Sequence, residues 1–213
     1  MTKKDPPETG PDAPHNLEAN AREYFRNAEK FREKHQQRSM RECYEKALDY
    51  GRESETPDGL AIAAEASLYL GHIYKTRSVW GEALERYQES LDLGKRSGTA
   101  DGFYAAARAA WNLGNTLEES GMKGLESAFR EAIEAGRDSK LPEALEVGAK
   151  AAFNLAMNIE PAEGPASNEE IESAAEAWRA AIELGEASGT EDGAGVASKA
   201  KQYLAELLER KTK

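Results

Sequence analysis

Histidine, cysteine and paired carboxylates are the side chains best suited to chemistry near neutral pH, and this sequence uses them sparsely or diffusely. Its three histidines, His15, His35 and His72, are widely separated. No His-x-x-x-His, Cys-x-x-Cys, phosphate-cradling glycine loop or nucleophile elbow is present. The single cysteine, Cys43, lies beside Tyr44 in a helical stretch and reads as a small packing residue. Carboxylates are abundant but periodic, which marks solvated helix faces rather than an acid and base pair. The expectation is therefore no catalytic residue, no metal and no cofactor. What stands out instead is a series of hydrogen-bond donors at helical spacing: Arg108, Asn112 and Asn115, then Lys150 and Asn154 with Met157, then Lys199 and Tyr203 with Glu206. Fixed amides and ammonium groups in such a stripe can grip a carboxylate through charge-assisted hydrogen bonds. Tyr69, His72, Trp111 and Phe153 stand at neighbouring positions and add aromatic surface.

Those residues need helices to hold them, and the sequence writes the same helical phrase several times. Gly51, Gly94, Gly136 and Gly185 close similar stretches, such as Phe129-Arg130-Glu131-Ala132-Ile133-Glu134-Ala135-Gly136 and Trp178-Arg179-Ala180-Ala181-Ile182-Glu183-Leu184-Gly185, at intervals of 43, 42 and 49 residues. Intervals of this size mark stacked repeat architectures. A second column keeps the same offsets: Gly71, Gly114, Ala156 and Ala205, each directly after a leucine. Within a unit, Ala83, Leu84, Tyr87, Ser90 and Leu91 recur three and four apart, so small and apolar groups share one face while Glu82, Glu85, Arg86 and Glu89 take the other.

Between units lie helix-start signals. Thr56, Thr99 and Thr190 can cap orphan amides, Pro57 suits a first helical position, and Asp58, Asp101 and Asp192 complement the positive end of the helix dipole. The Leu141-Pro142-Glu143 copy keeps the proline and loses the hydroxyl. These acidic triplets lack the alternating oxygen ligands and distal glutamate of a calcium loop, so they read as caps. The expected domains are a disordered tail over 1–15, repeats of two helices over about 16–57, 58–100, 101–142 and 143–191, and a capping helix over 192–210 that covers the last unit's apolar flank. The longer last interval comes from Glu160–Ser167, whose two prolines cannot continue a helix, and Ser167 with Glu170 reads as a capping box.

These residues resemble the tetratricopeptide repeat family, whose first helix carries Leu-Gly and an aromatic and whose second carries Ala, an aromatic and Ala. Leu70-Gly71, Tyr74, Ala83, Tyr87 and Ser90 follow that pattern in the second unit; Leu113-Gly114, Leu117, Leu125, Phe129 and Ala132 in the third; Leu155-Ala156, Ile159, Ala174, Trp178 and Ala181 in the fourth; and Ala28, Phe31, Met40, Tyr44 and Ala47 in the first. The likeness spans about Tyr24 to Leu208. The units exceed the family's usual length of about 34 residues and look like its extended-helix subgroup of kinesin light chain type. The resemblance implies an all-α, right-handed superhelix with four helix-turn-helix repeats plus a C-terminal capping helix. It also implies a concave groove that takes a peptide or helix. There Tyr69, His72, Arg108, Trp111, Asn112, Asn115, Lys150, Phe153, Asn154, Lys199 and Tyr203 would line the partner-binding surface. Asn115, Asn154 and Lys199 match three roles of the carboxylate clamp found in chaperone-binding members, while Trp111 and Tyr203 occupy the other two, so the clamp is incomplete.

Composition narrows the partners. Lys and Arg total 28 against 39 Asp and Glu, a formal net charge of −11, which repels nucleic acid and anionic membranes at long range. No stretch reads as a membrane span or a secretory signal core, and a single cysteine suits a reducing compartment, so a cytoplasmic setting is expected. The leading expectation is a protein-interaction scaffold or adaptor that holds a peptide or helical segment of another protein; an acidic or C-terminal carboxylate segment is one candidate, against the plainer reading that the asparagines and lysines only keep a concave surface wet. A self-assembling repeat protein, forming homo-oligomers through its terminal helices, is the alternative of a different class. A regulatory sensor for a peptide or small ligand is the third reading, and an enzyme the least favoured.

Overall fold

A computed structural model describes residues 14–161 and 167–211. Over these residues the chain forms consecutive helices and no strand: α1 (Pro14–Glu33), α2 (Gln37–Ser54), α3 (Pro57–Lys75), α4 (Trp80–Ser97), α5 (Ala100–Ser120), α6 (Leu125–Ser139), α7 (Pro142–Ile159), α8 (Asn168–Ser188) and α9 (Glu191–Lys211). The expected all-helical fold of four helical pairs and a closing helix is what the structure contains. The tail expected over 1–15 lies outside the described residues except at its end, where Pro14 and His15 already belong to α1. Proline is at home there because a first helical residue has no amide partner to lose. Residues 162–166 of the expected two-proline loop also lie outside the described residues.

Caps set the helix boundaries. Thr56, Thr99 and Thr190 each accept a hydrogen bond at 3.0 Å from the amide three residues on, at Gly59, Gly102 and Gly193. Ser167 and Glu170 close a reciprocal capping box at the start of α8. Behind each threonine cap sits a buried serine that the sequence reading left unassigned. Ser54, Ser97 and Ser188 donate to the carbonyls of Gly51, Gly94 and Gly185 at 2.8, 2.7 and 2.8 Å and also contact the capping threonine hydroxyl. The third junction differs. Ser139 reaches instead to the Ala100 carbonyl at 2.7 Å, and Leu141 makes no side-chain cap.

Two columns of small residues explain how the pairs stack. A Cβ at Gly71 would lie 2.5 Å from the Tyr87 ring, and one at Gly114 would lie 2.5 Å from the Phe129 ring, so these glycines let the second helix of each pair approach the first. Ala28 and Ala156 are fully buried at the matching positions. The second column joins one pair to the next: a Cβ on Gly94 would come within 2.3 Å of the Gly102 carbonyl oxygen, and Gly51 and Gly185 meet Gly59 and Gly193 at 2.5 Å in the same way. Tyr44, Tyr87, Phe129 and Trp178 fill the space between, each with no exposed surface. Every odd-numbered helix also touches the next odd-numbered one, α1 with α3 through to α7 with α9, whereas the even-numbered helices make at most marginal contact with each other. The array therefore bends toward the odd-numbered layer, which forms its inner face.

Candidate functional site

The inner face presents one repeat position five times over, on α1, α3, α5, α7 and α9: Arg22, Glu65, Arg108, Lys150 and Lys199. The charges along this row answer one another. Arg22 pairs with Glu18 at 3.2 Å and with Asp58 at 3.6 Å. Arg108 lies 3.6 Å from Glu65, and its guanidinium sits 5.5 Å from the centre of the Tyr69 ring and 5.4 Å from that of Tyr104. Burial pushes the Glu65 carboxyl above its ordinary range, and the facing Arg108 opposes that rise. Lys150 is held by Glu146 at 2.6 Å and Asp192 at 3.3 Å. Lys199 is exposed and forms no ion pair among the described residues.

The amides of the stripe are likewise occupied. Asn112 donates to the Arg108 carbonyl at 2.8 Å, back along its own helix. Asn154 donates at 2.9 Å to the side-chain oxygen of Asn115, a bond from α7 to α5. Two residues matched to clamp roles thus bridge neighbouring units through one hydrogen bond, in which Asn115 only accepts. Tyr203 stacks on Trp178 at 5.1 Å and meets Phe153 edge-on at 5.8 Å. It belongs to the packing between α8 and α9 more than to an open surface.

Of the residues expected to line one continuous groove, the structure gathers most into three separate hollows. Trp111, Lys150, Phe153, Asn154 and Lys199, together with Val196, line a mostly apolar pocket of about 190 Å³ between α5, α7 and α9. The Trp111 indole N–H beside it is buried and has no hydrogen-bond partner among the described residues. Arg108 belongs to a larger pocket of about 450 Å³ between α1, α3 and α5, where Arg22, Arg26 and Arg108 face Asp58, Glu65 and Asp101. Tyr69 and His72 line a third, of about 280 Å³, beside the turn between α1 and α2. His72 packs edge-on to Tyr69 at 5.9 Å and Tyr87 at 5.6 Å. Burial, reinforced by Arg108, Lys75 and Arg32, pushes its imidazole down to about 4, against a hydrogen bond with Asn112, so it is neutral at pH 7.

The sequence reading did not single out Glu65, Tyr104, Arg32 or Arg77 as site residues. For Glu65 a signal existed: it holds the same repeat position as Arg108, and equal positions on stacked units are neighbours. Among the described residues no group of His, Cys, Asp and Glu is placed to hold a metal ion. No described helix is long and apolar enough to cross a membrane.

No family model and no curated protein matches the chain. Among solved structures it is similar to the de novo designed helical repeat protein DHR64, at 22% identity and a TM-score of 0.38, with 92% of this chain and 96% of that one covered. It is also similar to the DHF58 filament, at 18% identity and a TM-score of 0.37 over the same shares of the two chains.

Proposed function

We propose that this helical repeat protein is a non-catalytic scaffold that holds a segment of a partner protein along its inner face, in the manner of the tetratricopeptide repeats its sequence resembles. The observation that carries this reading is the convergence of Trp111, Phe153 and Val196 on one apolar pocket rimmed by Lys150 and Lys199. Such a hollow suits one apolar anchor side chain, and the unpaired Lys199 favours a carboxylate next to that anchor. The bonds already made by Asn115, Asn154, Arg108 and Lys150 shift the weight from a broad anion-binding stripe to this single anchor point. A displayed library of peptides carrying an apolar residue flanked by acidic ones should yield binders. Val196→Trp, which fills the pocket, should abolish their binding while leaving helicity unchanged. Equal binding by the filled variant would defeat the proposal.

One observation favours self-assembly as a second reading. Lys201, Ala205 and Leu208 on α9 stand where Ser67, Gly71 and Tyr74 of α3 meet their paired helix, and Leu208 is 37% exposed. Light scattering of the wild type against Leu208→Glu tests it. A monomer in both cases would remove this reading.

A further inference from the structure

We propose that the hollow beside the turn between α1 and α2 is a second binding site, one that takes a small carboxylic acid with an aromatic or branched apolar body. Its lining mixes apolar and aromatic side chains with the polar Gln37, His72 and Thr76. Tyr44 is buried at the floor and stacks on Tyr69 with ring centres 5.1 Å apart, while Met40 and Ile73 supply the flanks. Two arginines, Arg32 and Arg77, also line it, and no carboxylate does.

The pocket shares that charge pattern with the one rimmed by Lys150 and Lys199, and differs from the larger pocket. Acidic side chains outnumber basic ones 39 to 28 in this protein, and the larger pocket between α1, α3 and α5 balances three arginines against three carboxylates of its own. Here the balance is missing. Arg32 has an adjacent carboxylate in Glu29, which it shares with the Tyr44 hydroxyl, and its guanidinium lies 4.9 Å from the Tyr69 ring centre. Arg77 is exposed, and its one side-chain hydrogen bond among the described residues is donated to the neutral Gln37 amide oxygen at 3.4 Å. It can therefore turn to a ligand carboxylate without surrendering an ion pair, forming the two parallel bonds that a guanidinium offers.

Size selects the ligand class. At about 280 Å³ the hollow sits just below the usual range for small-molecule pockets, roughly 300–1,000 Å³, so it fits one ring with its acid group. The apolar body would lie against Met40 and the half-buried Tyr69, and the carboxylate at Arg77.

Benzoate is the probe, with benzyl alcohol as its uncharged counterpart. The readout is the imidazole resonances of His72, which is one of only three histidines in the chain. Benzoate should shift them saturably and raise the His72 titration midpoint by placing negative charge beside it. Benzyl alcohol should bind more weakly. Arg77→Gln, an exposed change that the fold tolerates, should weaken benzoate at least about fivefold. Val196→Trp should leave the benzoate titration untouched, so failure here and failure of the peptide reading are told apart. The inference is overturned if benzoate gives no saturable shift in the wild type, or if the alcohol binds as well as the acid. It is equally overturned if a peptide ending in phenylalanine moves His72 while benzoate does not.

Discussion

The seam between successive units and the inner face of the array are built from the same helices under opposite rules. At the seam the residues repeat: glycine at Gly51, Gly94, Gly136 and Gly185, then a buried serine three residues on at Ser54, Ser97, Ser139 and Ser188. On the inner face they do not. One position reads Arg22, Glu65, Arg108, Lys150, Lys199, and the position three residues after it reads Phe25, Leu68, Trp111, Phe153, Gln202. Packing geometry is closely similar at three of the four junctions and departs at the third, where Ser139 turns to Ala100 and Ala144 stands in place of the facing glycine, so it demands nearly the same residues. A surface that recognises something has no such reason to repeat, and its variation sets three unlike hollows along one face.

The strongest test of this contrast lies at the seam. Gly94→Val drives a side chain into the Gly102 carbonyl, which a hydrogen-bonded backbone cannot move aside. It should destabilise the fold by about 3 kcal/mol or more, lowering the melting temperature by roughly 6–12 °C in a protein of this size. An unchanged melting curve would mean that the seam is looser than described. On the inner face, His72 gives a pH-dependent contribution. Its folded midpoint lies below the unfolded value of 6.5, so the unfolded chain takes up the proton first. The stability is then fully present above pH 6.5 and is lost as pH falls toward 4, by at most about 3 kcal/mol. Glu65, raised by burial, acts in the opposite sense, so the difference between chemical denaturation of the wild type and of His72→Asn isolates the histidine. A difference that stays flat from pH 7 to about pH 4 would refute it.

A smaller effect of opposite sign belongs to the junction ends. Lys140 and Glu55 hold the left-handed conformation, φ 60° and 51°, that Gly98 and Gly189 occupy at the equivalent places. Lys140→Gly should stabilise by about 1 kcal/mol, read as a higher denaturation midpoint. Lys199→Ala should move stability least, within about 0.5 kcal/mol, yet weaken a pocket-selected peptide by about tenfold, or 1.4 kcal/mol. Were it to destabilise the fold and spare the peptide, the division between seam and face would be wrong.

What could be read from the sequence follows the same division. The threonine caps, the capping box and both glycine columns were legible because each depends on residues close in sequence or recurring at fixed offsets. The all-helical stacked architecture followed from them. The inner-face residues were legible as positions, since helical spacing places them on one side, but not as states. That Lys150 is held by Asp192 and Asn154 by Asn115 depends on how far each unit turns relative to the next, and no single unit encodes that rotation. Glu65 could have been recognised as the counter-charge of Arg108 by aligning the units rather than reading along the helix. The pocket lined by Arg77 escaped because its residues come from α1, α2, the end of α3 and the turn after it, four stretches with no shared period.

Because each unit leans only on its neighbours, resistance to opening is not shared evenly along the chain. Amide hydrogen exchange should be slowest in α4 to α6, supported from both sides, and quicken toward α1 and α9. The apolar hollow spanning α5, α7 and α9 straddles that gradient. Anything lodged in it would tie the fraying last helix back to the slow-exchanging middle, so occupancy would be felt as protection of backbone amides well beyond the atoms touched.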